Sequence, residues 1–213
     1  FQYTAPGSKT RLSRFTVNAN NGLVAGSEAI LLEWTTGSEA HGHMGGSLKF
    51  DKSGNLLITT GDNNAASGYF AEGAQETSGN TNDLRGKVLR IRPTAAGGYT
   101  IPAGNLFPGD ATHRPEIYGM GFRNPFRINI DPLTGYAYVG DIGPDASAAS
   151  AEGPGGMDEL HELRGAGNYG WPYIIGFNQP YAGFNPTNIV NNHPRNTGAK
   201  NLPAAIPALW TIR

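Results

Sequence analysis

Apolar and polar positions alternate in short runs along most of this chain, and turn residues close nearly every run. Thr10–Val17 alternates as a half-buried strand does, the turn Asn18–Gly22 follows, and Ala29–Trp34 forms a second apolar run. After a His/Gly-rich connection, His41–Gly46, the pattern predicts strands at Ser47–Phe50 and Leu56–Thr60, joined by Asp51–Asn55 and closing on Gly61-Asp62. Phe126–Ile130 and Tyr136–Val139, joined by Asp131–Gly135, read as a β-hairpin; it runs out at Gly140-Asp141 and then Gly143-Pro144. No window sustains a 3.6-residue apolar period with caps, so long helices are not expected. From Asn178 to Asn201 the pattern dissolves into Asn, Pro and Gly, read as a long irregular loop before a last apolar strand at Ala208–Ile212.

The pattern also recurs. Lys87–Ile91 echoes Leu12–Phe15, and Phe50-Asp51 through Gly61-Asp62 returns as Ile130-Asp131 through Gly140-Asp141. Asp158–Leu163 marks a third start. Recurring units of four short strands predict an all-β fold, a β-propeller, with blade-like units at about 10–62, 86–141 and 158–213. Propellers close with about 4 to 8 blades. Roughly three blades leave the ring open, so the chain is expected to be a fragment of a longer protein, or to be completed by another polypeptide. Its start at Phe1, without a signal-like segment, reads as a processed or excerpted piece.

Composition narrows the partners. With 31 glycines and 15 prolines in 213 residues, turns are frequent. Charged residues make up 15% and the formal net charge is −1, which excludes the basic face that nucleic acid requires and suits a small molecule better. No apolar run reaches the length of a membrane span. The absence of cysteine excludes disulfides and thiol catalysis but leaves the compartment open.

Several residues can carry chemistry. His43 sits in a glycine-flanked loop and Asp62 ends a strand; if the hairpin between them folds back, the carboxylate fixes the imidazole as a general base. His41 is its rival on the same loop, and a structural histidine is the plain alternative. Arg123 offers a rigid fork of donors and Asn124 both donors and an acceptor, suited to carboxylates or quinone oxygens. A clamp between loops explains that pair equally well. Gly143-Pro144 reads as a turn, or as two outward carbonyls for a hard cation such as Ca²⁺. Trp171 reads as packing.

Taken together, the segments His43–Leu48, Gly61-Asp62, Leu84–Ile91, Glu116–Pro125, Gly143-Pro144 and Gly167–Pro172 resemble the soluble PQQ-dependent glucose/sorbosone (aldose sugar) dehydrogenases. These are six-bladed propellers, secreted or periplasmic. The resemblance implies PQQ- and calcium-dependent oxidation of an aldose to the lactone, with electrons leaving to an external acceptor. It implies His43 as the base, Asp62 as its orienter, and Arg123 and Asn124 as the PQQ-binding pair, Arg123 also polarising the quinone. Gly143 and Pro144 match carbonyls that hold Ca²⁺ at the cofactor; Glu159 and the Tyr169 carbonyl match a separate calcium site. The rest of that pocket falls outside these positions, so activity is expected of a longer parent. A non-catalytic carbohydrate-binding or interaction module is the alternative, and calcium-dependent lactonase chemistry a more distant one.

Overall fold

The computed structural model describes residues 1–36, 42–63, 74, 77–150, 153–177 and 179–181. His41, most of the loop after Asn63, most of the Asn178–Asn201 stretch and the expected strand at Ala208–Ile212 lie outside the described residues.

Every named element is a β-strand. β1 (Gln2–Ala5), β2 (Lys9–Arg14) and β3 (Ala29–Thr35) form an antiparallel sheet in sequence order. A central sheet is built from β4 (Leu48–Phe50), β5 (Leu56–Thr60), β6 (Lys87–Pro93) and β8 (Ile117–Met120), with β7 (Tyr99–Thr100) attached to β6. A third sheet joins β9 (Pro125–Ile130), β10 (Ala137–Asp141) and β11 (Glu159–Leu163), antiparallel throughout. β12 (Gly167–Asn168) returns to the central sheet and pairs parallel with β8. β13 (Ile174–Ile175) and β14 (Gln179–Pro180) make a small ribbon.

The period-2 alternation of β5 and β6 explains why the sheets stack. Leu56 and Ile58 of β5, with Leu89 and Ile91 of β6, turn to one side and join Leu12, Leu32 and Trp34 of the first sheet. Leu57 and Val88, each next in sequence to one of these, face the other way and join Ile128, Ala137, Val139 and Leu163 of the third sheet. All five residues of β5 are buried, as a strand covered on both faces must be. Sheets packed face to face in sequence order are successive blades of a β-propeller, and this chain is a part of one.

The sheet boundaries differ from the sequence-derived units. β2 and β3 pair with β1, whereas β4 and β5 pair with β6, so the span 10–62 contributes to two sheets. Likewise β11 does not open a new sheet but completes that of the β9–β10 hairpin. The repeated Asp-to-Gly-Asp motif therefore marks the hairpin that opens a sheet at its edge, β4–β5 in the central sheet and β9–β10 in the third.

Candidate active site

Two strand ends meet at one edge of the stacked sheets. β5 runs out into Gly61-Asp62, and β8 leads through Gly121–Asn124 into β9. The Asp62 amide donates to the Arg123 carbonyl at 2.8 Å, which ties the two ends together. The loop 77–86 braces both from behind. Gly86 N–H donates to the Gly61 carbonyl, Phe122 N–H donates to that of Gly86, and Ser78 Oγ donates to the Phe122 carbonyl. Lys87 is wholly buried, and its Nζ donates to the carbonyls of Thr77, Ser78 and Arg85 at 2.6–3.1 Å. Burial pushes this lysine down to about 7, countered in part by the charge of Asp83.

His43 enters from the loop before β4. Its Nδ1 lies 2.7 Å from Asp62 Oδ1, with the imidazole side chain 8% exposed and the carboxylate fully buried. The histidine backbone is left-handed, φ +48°, a conformation that costs a non-glycine residue about 1–3 kcal/mol and persists only where neighbours enforce it. Those neighbours are Asn63, whose Nδ2 donates to the His43 carbonyl at 3.0 Å, and Gly61. A Cβ on Gly61 would stand 1.6 Å from that same carbonyl oxygen. Glycine is needed here for its missing side chain, because its own φ is ordinary.

The second oxygen of Asp62 is also engaged. Trp171 Nε1 donates to Oδ2 at 2.9 Å, and the Arg123 guanidinium lies 6.0 Å from the indole ring centre. Arg123 itself is 4% exposed, with Nη1 donating to the carbonyls of Gly143 at 2.7 Å and Ile142 at 3.2 Å. Asp141, at the end of β10, accepts from the amides of Arg123 and Asn124 at 3.0 and 2.7 Å. The Asn124 side-chain oxygen accepts from the Gly45 amide, two residues beyond His43, at 3.1 Å. His43, Asp62, Arg123 and Asn124 thus share one neighbourhood.

The residues expected to bind metal lie next to it. Gly143 N–H donates to Asp158 Oδ1 at 3.0 Å, and its carbonyl is held by Arg123. The Pro144 carbonyl oxygen packs onto Gly156, where a Cβ would sit 1.7 Å away. Glu159, opposite Asp141 in the β10–β11 register, accepts from the Gly176 amide at 2.9 Å. Burial pushes Asp141 up to about 8 and Glu159 up to about 7. His161 Nε2, buried without a hydrogen bond among the described residues, stands 3.8 Å from Glu159 and 3.9 Å from Asp141. The Tyr169 ring stacks on Phe122. Among the described residues no group of three His, Cys, Asp or Glu side chains is arranged to hold a metal.

Sequence reasoning missed Trp171 as a partner of Asp62, Asp141 as the anchor of the Arg–Asn turn, and Lys87 as a hub. Only Asp141 had a usable signal, in the repeated Gly-Asp strand ending.

Comparison with known proteins bears on the family and the fold. The family model for glucose/sorbosone dehydrogenase matches residues 1–201. The aldose sugar dehydrogenase YliI of Escherichia coli is 31% identical over 143 residues, 67% of this chain and 32% of that protein. The HIPL2 protein of Arabidopsis thaliana is 30% identical over 157 residues, 64% of this chain and 20% of that protein. Among solved structures, a glucose dehydrogenase aligns with TM-score 0.62 at 26% identity, covering 99% of this chain and 51% of its own. The apo-form of the soluble E. coli aldose sugar dehydrogenase aligns at 0.61 and 26%, covering 87% and 47%. The PQQ-bound aldose sugar dehydrogenase of Streptomyces coelicolor shares the fold at TM-score 0.60, with 23% identity over 82% of this chain and 43% of its own. The chain therefore spans about half, or less, of the proteins it matches. No helix among the described residues is long and apolar enough to cross a membrane.

Proposed function

Because this chain belongs to the glucose/sorbosone dehydrogenase family, we propose that it carries the base-bearing part of a PQQ-dependent enzyme that oxidises an aldose at its anomeric carbon to the lactone. The observation that carries this reading is the His43–Asp62 contact beside Arg123. An ionised Asp62 accepts, so Nδ1 of His43 bears the proton and Nε2 the lone pair. Nε2 is then the atom that takes the proton from the anomeric hydroxyl. Bound PQQ supplies the acceptor for the hydride that leaves the same carbon. With Nη1 of Arg123 committed to backbone carbonyls, Nε and Nη2 would be left to hold the quinone oxygens of a bound cofactor, where the guanidinium charge would favour electron density. Asn124 is held by Asp141 through its backbone and by Gly45 through its side chain, which aims its amide.

Calcium would draw on the Gly143 and Pro144 carbonyls and, separately, on Glu159 with the Tyr169 carbonyl. The support is unequal. The Gly143 oxygen already accepts from a guanidinium, whereas Glu159 is a buried carboxyl that a nearby cation would return to its charged form. Backbone oxygens would complete either set. A secreted or periplasmic place of action goes with this reading.

The test is aldose-dependent dye reduction by the full-length parent protein supplied with PQQ and Ca²⁺. His43→Ala is expected to lower turnover by about 10²–10⁴-fold while PQQ binding stays nearly unchanged. Retained turnover would reassign the base, His41 being first in line. Sugar binding without any uptake of PQQ would point to a carbohydrate-binding module instead.

A further inference from the structure

Trp171 is absorbed by neither the proton transfer nor the cofactor contacts, yet its placement is too specific for filler. It follows β12, where its amide donates to the Gly121 carbonyl at 3.1 Å. The indole is 4% exposed and packs with Ala74, Ile175 and Tyr181, the Tyr181 ring meeting it edge-on at 5.4 Å. A ring fixed on these sides cannot turn to find another acceptor. Its one polar atom meets Asp62 Oδ2 at 2.9 Å, on the carboxylate whose Oδ1 holds His43.

We infer that Trp171 is a positioning residue for the base, acting through Asp62. An indole N–H can only donate. Held by it, Oδ2 must accept, and the contact opposes rotation of the carboxylate that would exchange its oxygens. Oδ1 is then left as a fixed acceptor, and the proton of the His43 ring is drawn to Nδ1. Removing the indole takes a donor from Oδ2 and loosens the carboxylate that orients the imidazole, and a base out of position loses rate without losing its ligand. The inference rests on the proposed role of His43, and it reaches across the fold, since Asp62 closes a central strand and Trp171 lies 109 positions later.

Trp171→Phe keeps a ring in the pocket and removes only the donor. In the PQQ-loaded protein, kcat is expected to fall about tenfold with KM for the aldose within about twofold. In an Asp62→Asn background the same change should cost almost nothing further, because the two residues act through one hydrogen-bonded chain. Additive losses, or a raised KM with kcat unchanged, would overturn the inference. A readout independent of turnover is the ¹⁵N spectrum of the imidazole. The wild type should show His43 protonated at Nδ1, and Trp171→Phe should mix the tautomers. Should that variant fail to fold, the wild-type indole N–H resonance takes over: it must shift in Asp62→Asn, and an unmoved resonance sinks the inference. Protein that binds no PQQ would defeat the proposed function, yet both spectra would still decide whether Trp171 positions the ring.

Discussion

Two aspartates in the same dipeptide show what a single residue can be used for. Asp62 and Asp141 each follow a glycine at the end of a strand, and each is almost fully buried. Asp62 spends its oxygens on side chains, those of His43 and Trp171; Asp141 spends its own on backbone amides. The repeat in the sequence exposes both positions but not this division, which depends on what the neighbouring loops bring. Lys87 is the opposite case, invisible in sequence because it sits in a strand-like run and reads as a polar position facing water. Its carbonyl cage offsets part of the cost of burying an ammonium. The folded-state value near 7 lies below the unfolded one, so between about 7 and 10.5 the unfolded chain binds the extra proton. Stability should therefore rise with pH across that window, the penalty being fully present below it. Lys87→Met should flatten this rise in denaturation curves recorded from pH 7 to 10.

At the scale of elements, the β9–β10 hairpin was readable almost to the residue. Phe126–Ile130 and Tyr136–Val139 were expected; Pro125–Ile130 and Ala137–Asp141 are observed. Asp131 closes the turn through Leu133 and Thr134, chemistry that is local in sequence and hence visible there. Partners distant in sequence were not visible. The two-residue β12 is recognised as a strand only by its parallel pairing with β8, and the Arg123–Asn124 turn is set by a carboxylate from the far end of the hairpin. Asp141→Ala would leave the buried Arg123 amide and the half-buried Asn124 amide without their acceptor and should cost about 1–3 kcal/mol in urea unfolding. Asp141→Asn, which keeps one acceptor oxygen, should cost less.

Across the whole molecule, the alternation in β5 and β6 feeds two separate apolar clusters, so the central sheet is covered on both sides. The all-β, bladed character was legible because that alternation is a property of each strand. The grouping of strands into sheets was not, since the crossing from β3 to β4 carries no mark in the residues themselves. Backbone amides of β5 and β6 should consequently exchange slowest with deuterium, and those of β1 and of the β13–β14 ribbon fastest, as read by mass spectrometry of peptides. Faster exchange in β5 than in β1 would contradict the stacking described.

The contact between Gly61 and the His43 carbonyl restricts how this protein can change over time. Any mutational walk that adds even a methyl group at position 61 must first move the carbonyl of the proposed base, so the two sites cannot drift separately. Position 61 has a one-letter alphabet for as long as the histidine keeps its left-handed backbone.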